Sequence, residues 1–280
     1  MAGSVQGSWS LVKASANVLR MDKELMIFPV FSGVASILVT ASFFAPLVVT
    51  GGWEIFAEES GGGSYLAYAL GFLFYLVQYT VVFFFNTALV GAALIRMEGG
   101  DPTVGDGLRI AMSRLPAILG YAALASTVGM VLRFLSERAG FVGRIVIGLV
   151  GMAWNLATFL AVPVLVTQNV GPVDAVKESA SLFKRTWGEQ VVGSFGMGWA
   201  FFLMGVAWTL VMGIPLYLAF QISPMAAASV GVVAVTGYLF LGVFSASLKG
   251  VYTAALYRYA TKGEDDSLDG ISLGRAFRPR

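Results

Sequence analysis

The chain has 280 residues, of which 57% are hydrophobic and only 12% are charged, with a net charge of +2. Soluble domains carry about 25% charged residues, so this composition excludes a globular protein whose whole surface faces water. The sequence also contains no cysteine and no histidine. Their absence removes Cys/His zinc sites, haem attachment and catalysis by a nucleophile paired with histidine. We therefore expect a membrane protein that is not an enzyme and that holds no metal or cofactor.

Six apolar runs follow one another along the chain, at about residues 25–50, 65–95, 115–135, 143–168, 191–220 and 225–248. Each is long enough to cross a bilayer, which requires about 20 residues in a helix. The runs predict an all-α, polytopic membrane bundle of six transmembrane helices, formed as one domain by residues 1–262. The second run would be roughly 45 Å long, so it must tilt or project beyond the hydrocarbon core of about 30 Å. Residues 263–280 are polar and predict a flexible cytoplasmic tail.

A short segment with small and basic residues precedes each pair of runs, at 8–19, 104–115 and 173–184. The three segments are loosely alike, and internal repetition often defines the fold of a chain. They predict three repeats, at about 8–97, 98–170 and 171–262, each made of an interfacial amphipathic helix followed by a helical hairpin. The alternative is that the segments are ordinary polar loops that happen to be helical.

The third segment, DAVKESASLFKRTWGEQ at 174–190, has the clearest helical pattern. Val176, Ala180, Phe183 and Trp187 share one face, and charged side chains occupy the rest of the circumference. Gly171, Pro172 and Asp174 predict a turn and an N-cap before it. A helix of this kind lies in the membrane interface and turns the chain between upright spans. The candidate contacts to lipid headgroups are Lys177, Lys184, Arg185 and Trp187.

The basic residues are distributed unequally between the two sides of the predicted bundle. Fifteen, Lys249 included, fall on the side of the termini, and only Arg133, Arg138 and Arg144 fall on the other. The excess of lysine and arginine marks the cytoplasmic side, so both termini are expected in the cytoplasm and the chain in the cell membrane. Arg133 and Glu137 lie four residues apart and predict an ion pair at the outer end of the third span.

Two stretches carry a resemblance to known proteins: SWSLVKASANVLRMDKELMIFPVFS at 8–32 and AVKESASLFKRTWGE at 175–189. Together they resemble a family of uncharacterised prokaryotic integral membrane proteins and, more distantly, the membrane domain attached to some glycerophosphodiester phosphodiesterases. The resemblance implies a helical membrane bundle. It implies no catalytic residue, because the metal ligands of the phosphodiesterase barrel have no counterpart here. The matching residues are Ser10, Lys13, Leu19, Asp22, Lys23, Pro29, Ser179, Lys184 and Trp187.

No charged residue is predicted at the middle of the membrane, but neutral polar residues do occur within the spans. The candidate cavity-lining residues are Gln78, Asn86, Asn155 and Thr158, with Thr87 beside them. They could face a shared solute or lipid path, or they could form hydrogen bonds between helices, which is the commoner use of such groups. The stretch AVPVLVTQNVGP at 161–172 predicts a broken or kinked end of the fourth span, because Pro163 cannot donate a backbone hydrogen bond.

Two functions follow from these features. The first is passive, channel-like permeation or lipid binding through the polar groups of the second and fourth spans. The second is a membrane scaffold or assembly factor that acts through the basic interfacial helices. Glycines at 148–151 and 193–198 predict close packing within the chain or between copies of a homo-oligomer. No phosphate-binding loop is present, so the expected partners are membrane lipids and neither nucleotides nor nucleic acids.

Overall fold

The computed structural model describes residues 2–51, 63–262, 267–268 and 271–272, with side chains described for 12–51, 66–184 and 196–261. Most of the segment between the first two apolar runs and most of the predicted tail at 263–280 lie outside these residues. Within them the chain is almost entirely helical. The helices are α1 (Ala2–Met21), α2 (Ile27–Thr50), α3 (Gly63–Met97), α4 (Val104–Ser113), α5 (Leu115–Arg138), α6 (Phe141–Ala157), α7 (Ala161–Thr167), α8 (Pro172–Ile222) and α9 (Pro224–Lys262). Two short strands, β1 (Ser267–Leu268) and β2 (Ile271–Ser272), pair antiparallel.

The six predicted spans are confirmed, since six helical segments are long and apolar enough to cross a membrane. They are Lys23–Thr50, Leu66–Met97, Leu115–Arg138, Phe141–Thr167, Gly196–Ile222 and Pro224–Thr261. The last segment is the one whose extent differs most from the prediction, because α9 continues well beyond residue 248. The chain is therefore a multi-pass integral membrane protein.

The spans pack in a closed cycle: α2 against α3, α3 against α5, α5 against α6, α6 against α8, α8 against α9, and α9 against α2. Helix α3 also contacts α9, α4 and α7, so it is the element around which the bundle is arranged. The predicted ion pair is confirmed, with Arg133 Nε 2.9 Å from Glu137 Oε1. Arg133 Nη1 also donates to the Tyr75 hydroxyl at 2.9 Å, which joins the third span to α3.

Most buried side chains lie at one end of the bundle, here called the core end. It comprises α1, α4, α7, the first turns of α8 and the last turns of α3 and α9. The last ten residues of α3 and residues 251–258 of α9 are nearly all buried there. At 1.5 Å per residue, α3 and α9 are about 52 and 58 Å long, well beyond a hydrocarbon core of about 30 Å. The excess length projects at the core end, where the short helices cover it.

Asp22 separates α1 from the first span. Its Oδ1 accepts the Glu24 N–H at 3.2 Å and caps a 3-10 turn at Lys23–Met26. The residue is only 7% exposed, and its Oδ2 has no hydrogen-bond partner among the described residues. This burial raises the pKa of the Asp22 carboxyl, and the Glu24 N–H and the Arg96 charge only partly oppose the increase.

Helix α4 is capped and packs closely on α3. The Thr103 hydroxyl accepts the Asp106 N–H at 3.2 Å, and the Asp106 carboxylate accepts the Thr103 N–H at 3.0 Å, which completes a capping box. The Thr103 side chain and N–H both hold the pKa of Asp106 below its usual value. At Gly107 a Cβ would lie 2.8 Å from the Ala88 carbonyl oxygen and 2.5 Å from Phe28 Cζ, so only glycine permits this approach.

The third predicted surface helix requires a correction. It is not separate from the span that follows, because α8 continues without a break from Pro172 to Ile222. Of the three residues predicted to form its turn and N-cap, Gly171 is the N-cap and Asp174 lies in the first turn. The arrangement into three repeats therefore remains a prediction, since α1 and α4 end before their spans and the beginning of α8 does not.

The face that α8 buries is also displaced by one residue from the predicted one. The fully buried positions are Ala175, Ser179 and Leu182. Of the predicted face, Val176, Ala180 and Phe183 are only partly buried, and the side chain of Trp187 lies outside those described. The buried residues have the same spacing as the predicted ones, four and then three residues. The prediction of a helix with one buried face is therefore correct, but the face that points into the protein is the neighbouring one. This part of α8 packs on α1 and α7.

The end of the bundle opposite the core end exposes large apolar side chains from α2, α6, α8 and α9. There α8 and α9 pack mainly on each other. The Trp208 ring lies over Gly237, where a Cβ would be 2.2 Å from the indole, and Trp208 Nε1 donates to the Ala234 carbonyl oxygen at 2.9 Å. In a bilayer, lipid chains would cover these exposed faces.

Candidate functional site

A cavity of about 940 Å³ lies between five of the spans. Its walls come from α2, α3, α5, α6 and α9, with the beginning of α7 at its edge. A volume near 1,000 Å³ is at the upper end of ordinary ligand-binding pockets. The cavity is not sealed, because the lining residues Gly33, Asn155 and Lys249 are exposed.

Polar side chains from three spans meet at this cavity. Asn86 comes from α3, Asn155 from α6 and Lys249 from α9, while Thr158 follows the end of α6. Asn86 and Lys249 lie about 17 and 20 Å from the core-end termini of their helices, at 1.5 Å per residue. They therefore lie close to where the two long helices leave the hydrocarbon core.

Aromatic side chains form an apolar surface in the same cavity. Tyr79 and Phe83, one turn apart on α3, stack at 5.6 Å between ring centroids, and Phe83 lies 4.6 Å from the Tyr121 ring of α5. All three line the cavity, together with Trp154. We call Tyr79, Phe83 and Tyr121 the aromatic wall. The ladder continues along α3 to Tyr75, 6.3 Å from Tyr79, and so runs away from the core end.

The fourth span breaks at the cavity. Helix α6 ends at Ala157 and α7 begins at Ala161, so the break falls at 158–160, just before the stretch in which a break was predicted. The Leu160 N–H donates to Ser179 Oγ of α8 at 3.0 Å, and both residues are fully buried. A side chain from a neighbouring helix thus satisfies a backbone group at the break, which is the condition for an interrupted helix within a membrane.

The cavity ends against tightly packed residues at the core end. Leu89, which lines its floor, would be 2.3 Å from a Cβ at Gly250, so α3 and α9 approach closely there. Beyond it, Val90, Val164 and Val251 are all completely buried. Arg258 of α9 also donates to the Met97 carbonyl oxygen of α3. This packing favours a blind cavity over an open passage.

A second cavity, of about 640 Å³, lies between the far halves of α8 and α9. Its lining is apolar apart from Thr236 and the indole of Trp208, whose N–H is already bound to the Ala234 carbonyl. Such a groove offers lipid chains a surface but no group that would recognise a particular molecule. We therefore place the candidate site in the larger cavity.

The structure brings three of the four predicted cavity residues together. Asn86, Asn155 and Thr158 line one cavity, whereas Gln78 does not. The Gln78 amide instead faces α2, with Nε2 3.4 Å from the Ser36 carbonyl oxygen and 3.5 Å from Thr40 Oγ1. Gln78 therefore belongs to the α2–α3 interface, which is the interhelical alternative for such residues.

The predicted headgroup contacts are only partly described. Lys177 and Lys184 are exposed on α8, and Lys177 Nζ lies 3.1 Å from Asp174 Oδ1. Arg185 and Trp187 belong to α8, but their side chains lie outside those described. Within the described part of the chain, no group of three or more acidic residues could hold a metal ion.

Lys249 is a cavity-lining residue that the sequence does not predict as one. The predicted apolar run ends at 248, so Lys249 is counted only among the basic residues on the side of the termini. The structure places it within α9 and on the cavity lining. The signal was present in the residues that follow, because GVYTAALY at 250–257 remains apolar and helix-forming. The aromatic wall was also missed, since its residues do not differ in kind from the other aromatic residues of the spans.

Comparison with curated proteins finds no match. One family model matches residues 65–267, well over half of the chain. The matched part runs from α3 to the end of α9, and so contains every helix of the cavity except α2. The model is described as a family of unknown function, so the match identifies a group of related proteins without assigning a ligand. The chain belongs to this family of unknown function (DUF6159).

Proposed function

We propose that this integral membrane protein binds a lipid-like amphiphile in the cavity between its spans. The observation that carries the proposal is the meeting of Asn86, Asn155 and Thr158 with an aromatic wall in a single cavity. A polar group and an apolar surface in one pocket fit a molecule that has a head and a hydrocarbon chain. The proposal assigns no reaction, metal or cofactor to the chain.

The tight packing of the core end favours lipid binding over passive permeation as the function. The residues that follow the cavity along α3, α7 and α9 are packed without exposure, for example Val90, Leu160 and Val251. A solute crossing the membrane would have to separate these helices, whereas a lipid can enter and leave from the side. Permeation therefore ranks below binding, although the same polar groups would serve both.

The test is retention of lipid by the purified protein, with Asn86→Leu and Asn155→Leu combined in one variant. Native mass spectrometry should detect bound lipid on the wild type and severalfold less on the double variant at equal folded content. Gln78→Met is the matched control, because it removes an amide from the same helix as Asn86 but outside the cavity. It should retain lipid as the wild type does.

If the wild type carries no lipid, or if all three proteins carry the same amount, the binding proposal is wrong. A scaffold or assembly role would then rank first. The observation that supports this second candidate is the exposed basic surface of the core end, which includes Lys177 and Lys184. Partner proteins or further copies of the chain would bind there, and crosslinking in membranes would detect them.

We further propose that the core end faces the cytoplasm, on the basis of the distribution of basic residues. The absence of cysteine allows a test with single introduced cysteines. Gly140→Cys, between α5 and α6, should react with a membrane-impermeant maleimide on intact cells, and Ser113→Cys, at the end of α4, should not. The opposite pattern would reverse the orientation. The similarity to the membrane domain of glycerophosphodiester phosphodiesterases remains a prediction, to be tested by comparing the two bundles.

A further inference from the structure

We infer that the cavity selects amphiphiles with an anionic headgroup, and that Lys249 is the residue responsible. The inference rests on the proposed function, since it names the chemical class of the ligand in the same cavity. Three observations support it: the charge of the lining, the absence of a carboxylate beside Lys249, and the position of the aromatic wall.

The charge of the lining is entirely positive in the described residues. Lys249 is the one ionisable acid or base among them apart from tyrosine hydroxyls, and no aspartate or glutamate contributes. The amides of Asn86 and Asn155, which line the same cavity, can donate hydrogen bonds. A lysine that shares a cavity with neutral donors matches an anionic oxygen group such as a phosphate or a carboxylate.

Lys249 differs from several other basic residues in its lack of a counter-ion. Lys177, Arg109 and Arg133 each lie within 3.4 Å of a carboxylate oxygen on the same helix. No described carboxylate lies within ion-pair distance of Lys249. A lysine without a carboxylate partner in the protein can pair with the anionic head of a bound lipid.

The aromatic wall argues for an amphiphile over a small anion. Helices α3 and α9 run side by side, as the contacts of Gly250 with Leu89 and of Arg258 with Met97 show. Lys249 is thus level with the residues just after Asn86, while Phe83 and Tyr79 lie progressively farther from the core end. A ligand whose head binds Lys249 would place its hydrocarbon chain along this wall. A free phosphate would leave the wall without a partner.

The experiment compares two lipids that have identical acyl chains, phosphatidylglycerol and phosphatidylcholine, in nanodiscs of equal composition. After release from the discs, native mass spectrometry counts the lipids bound to the wild type and to three variants. Lys249→Met removes the charge and Lys249→Arg retains it. Lys184→Met is the matched control, because it removes an exposed charge from α8 outside the cavity. A further sample of the wild type receives inorganic phosphate as a competitor.

The expected result is a preference of the wild type for phosphatidylglycerol that falls about tenfold or more in Lys249→Met, as expected for the loss of a charge-assisted contact. Lys249→Arg and Lys184→Met should keep the preference, and phosphate should not displace the lipid. Equal retention of both lipids by all four proteins would overturn selection by Lys249 while leaving lipid binding intact. Retention of neither lipid would overturn the proposed function itself. Displacement of phosphatidylglycerol by phosphate would show that the site binds a soluble anion, and would overturn the inference that its ligand is an amphiphile.

Discussion

Replacing Gly107 with alanine tests whether α4 is fixed to α3 by direct approach of the two backbones. The new Cβ would lie 2.8 Å from the Ala88 carbonyl oxygen and 2.5 Å from Phe28 Cζ, where ordinary contact begins at 3.4 Å. The helix would have to move away by roughly the difference, and overpacking of this kind costs about 1–3 kcal/mol. Alanine also has a higher helix propensity than glycine, which offsets about 1 kcal/mol of this cost.

Gly105 is the matched control on the same helix. A Cβ there meets only Thr103 Oγ1, at 3.6 Å. Gly105→Ala should therefore raise the free energy of unfolding by up to about 1 kcal/mol. Gly107→Ala should lower it by up to about 2 kcal/mol, so that the two variants differ by about 1–3 kcal/mol. Because both gain the same helix propensity, the difference measures the steric cost alone.

The assay is equilibrium unfolding of both variants in mixed micelles, followed by far-UV circular dichroism over a denaturing-detergent series. Thermal denaturation in the same micelles should give the same ranking. The reasoning is refuted if Gly107→Ala is as stable as Gly105→Ala, to within about 0.5 kcal/mol, the usual experimental margin for independent sites. That outcome would mean that α4 can move away from α3 without loss of packing.

Three further predictions use the same unfolding assay. Ser179→Ala should cost about 1–3 kcal/mol, because it leaves the buried Leu160 N–H without an acceptor, whereas Ser181→Ala on the exposed side should cost little. Thr103→Ala should cost about 1 kcal/mol through the lost helix cap, and an unchanged stability would argue against the capping box. Asp22→Asn should become more stable relative to the wild type as pH rises. Burial raises the pKa of the Asp22 carboxyl above 3.8 in the folded state, so the folded wild type is favoured at low pH, where this carboxyl is protonated. The wild type loses this stability as pH rises through the folded-state pKa, whereas the asparagine variant does not. A stability difference between the two proteins that does not change with pH would contradict this.

The fold could be predicted from the sequence because long apolar runs have few alternatives. A run such as 115–135 must be helical if it crosses a bilayer, and its ends are marked by Arg114 and Arg138. The direction of a helix face was harder to predict. At the start of α8, Ala175, Ser179 and Leu182 are as suitable for burial as the predicted Val176, Ala180 and Phe183. The choice depends on where α1 and α7 lie, which hydrophobic periodicity does not specify.

The candidate site was only partly predictable for a related reason. Amides are rare within apolar spans, so Asn86 and Asn155 could be identified by their type. Gln78 is of the same type but faces α2, and only the packing of α2 on α3 distinguishes it. Lys249 was not predicted as a cavity residue because the predicted sixth apolar run ends at residue 248. A charge at the end of an apolar run usually marks the surface, and here α9 continues past it into the core end.

Because the buried side chains are concentrated at the core end, the spans are held firmly at that end and less firmly at the other. Buried contacts hold α3 and α9 there, whereas the opposite halves of α6, α8 and α9 are exposed over much of their surface. The lateral pressure of the bilayer therefore acts on the less constrained ends, where local stability is lowest. A change in membrane thickness or tension would spread or close these ends about the fixed one, and two of these helices, α6 and α9, line the cavity. We expect the width of the cavity to follow the mechanical state of the membrane more closely than the packing of the core end does.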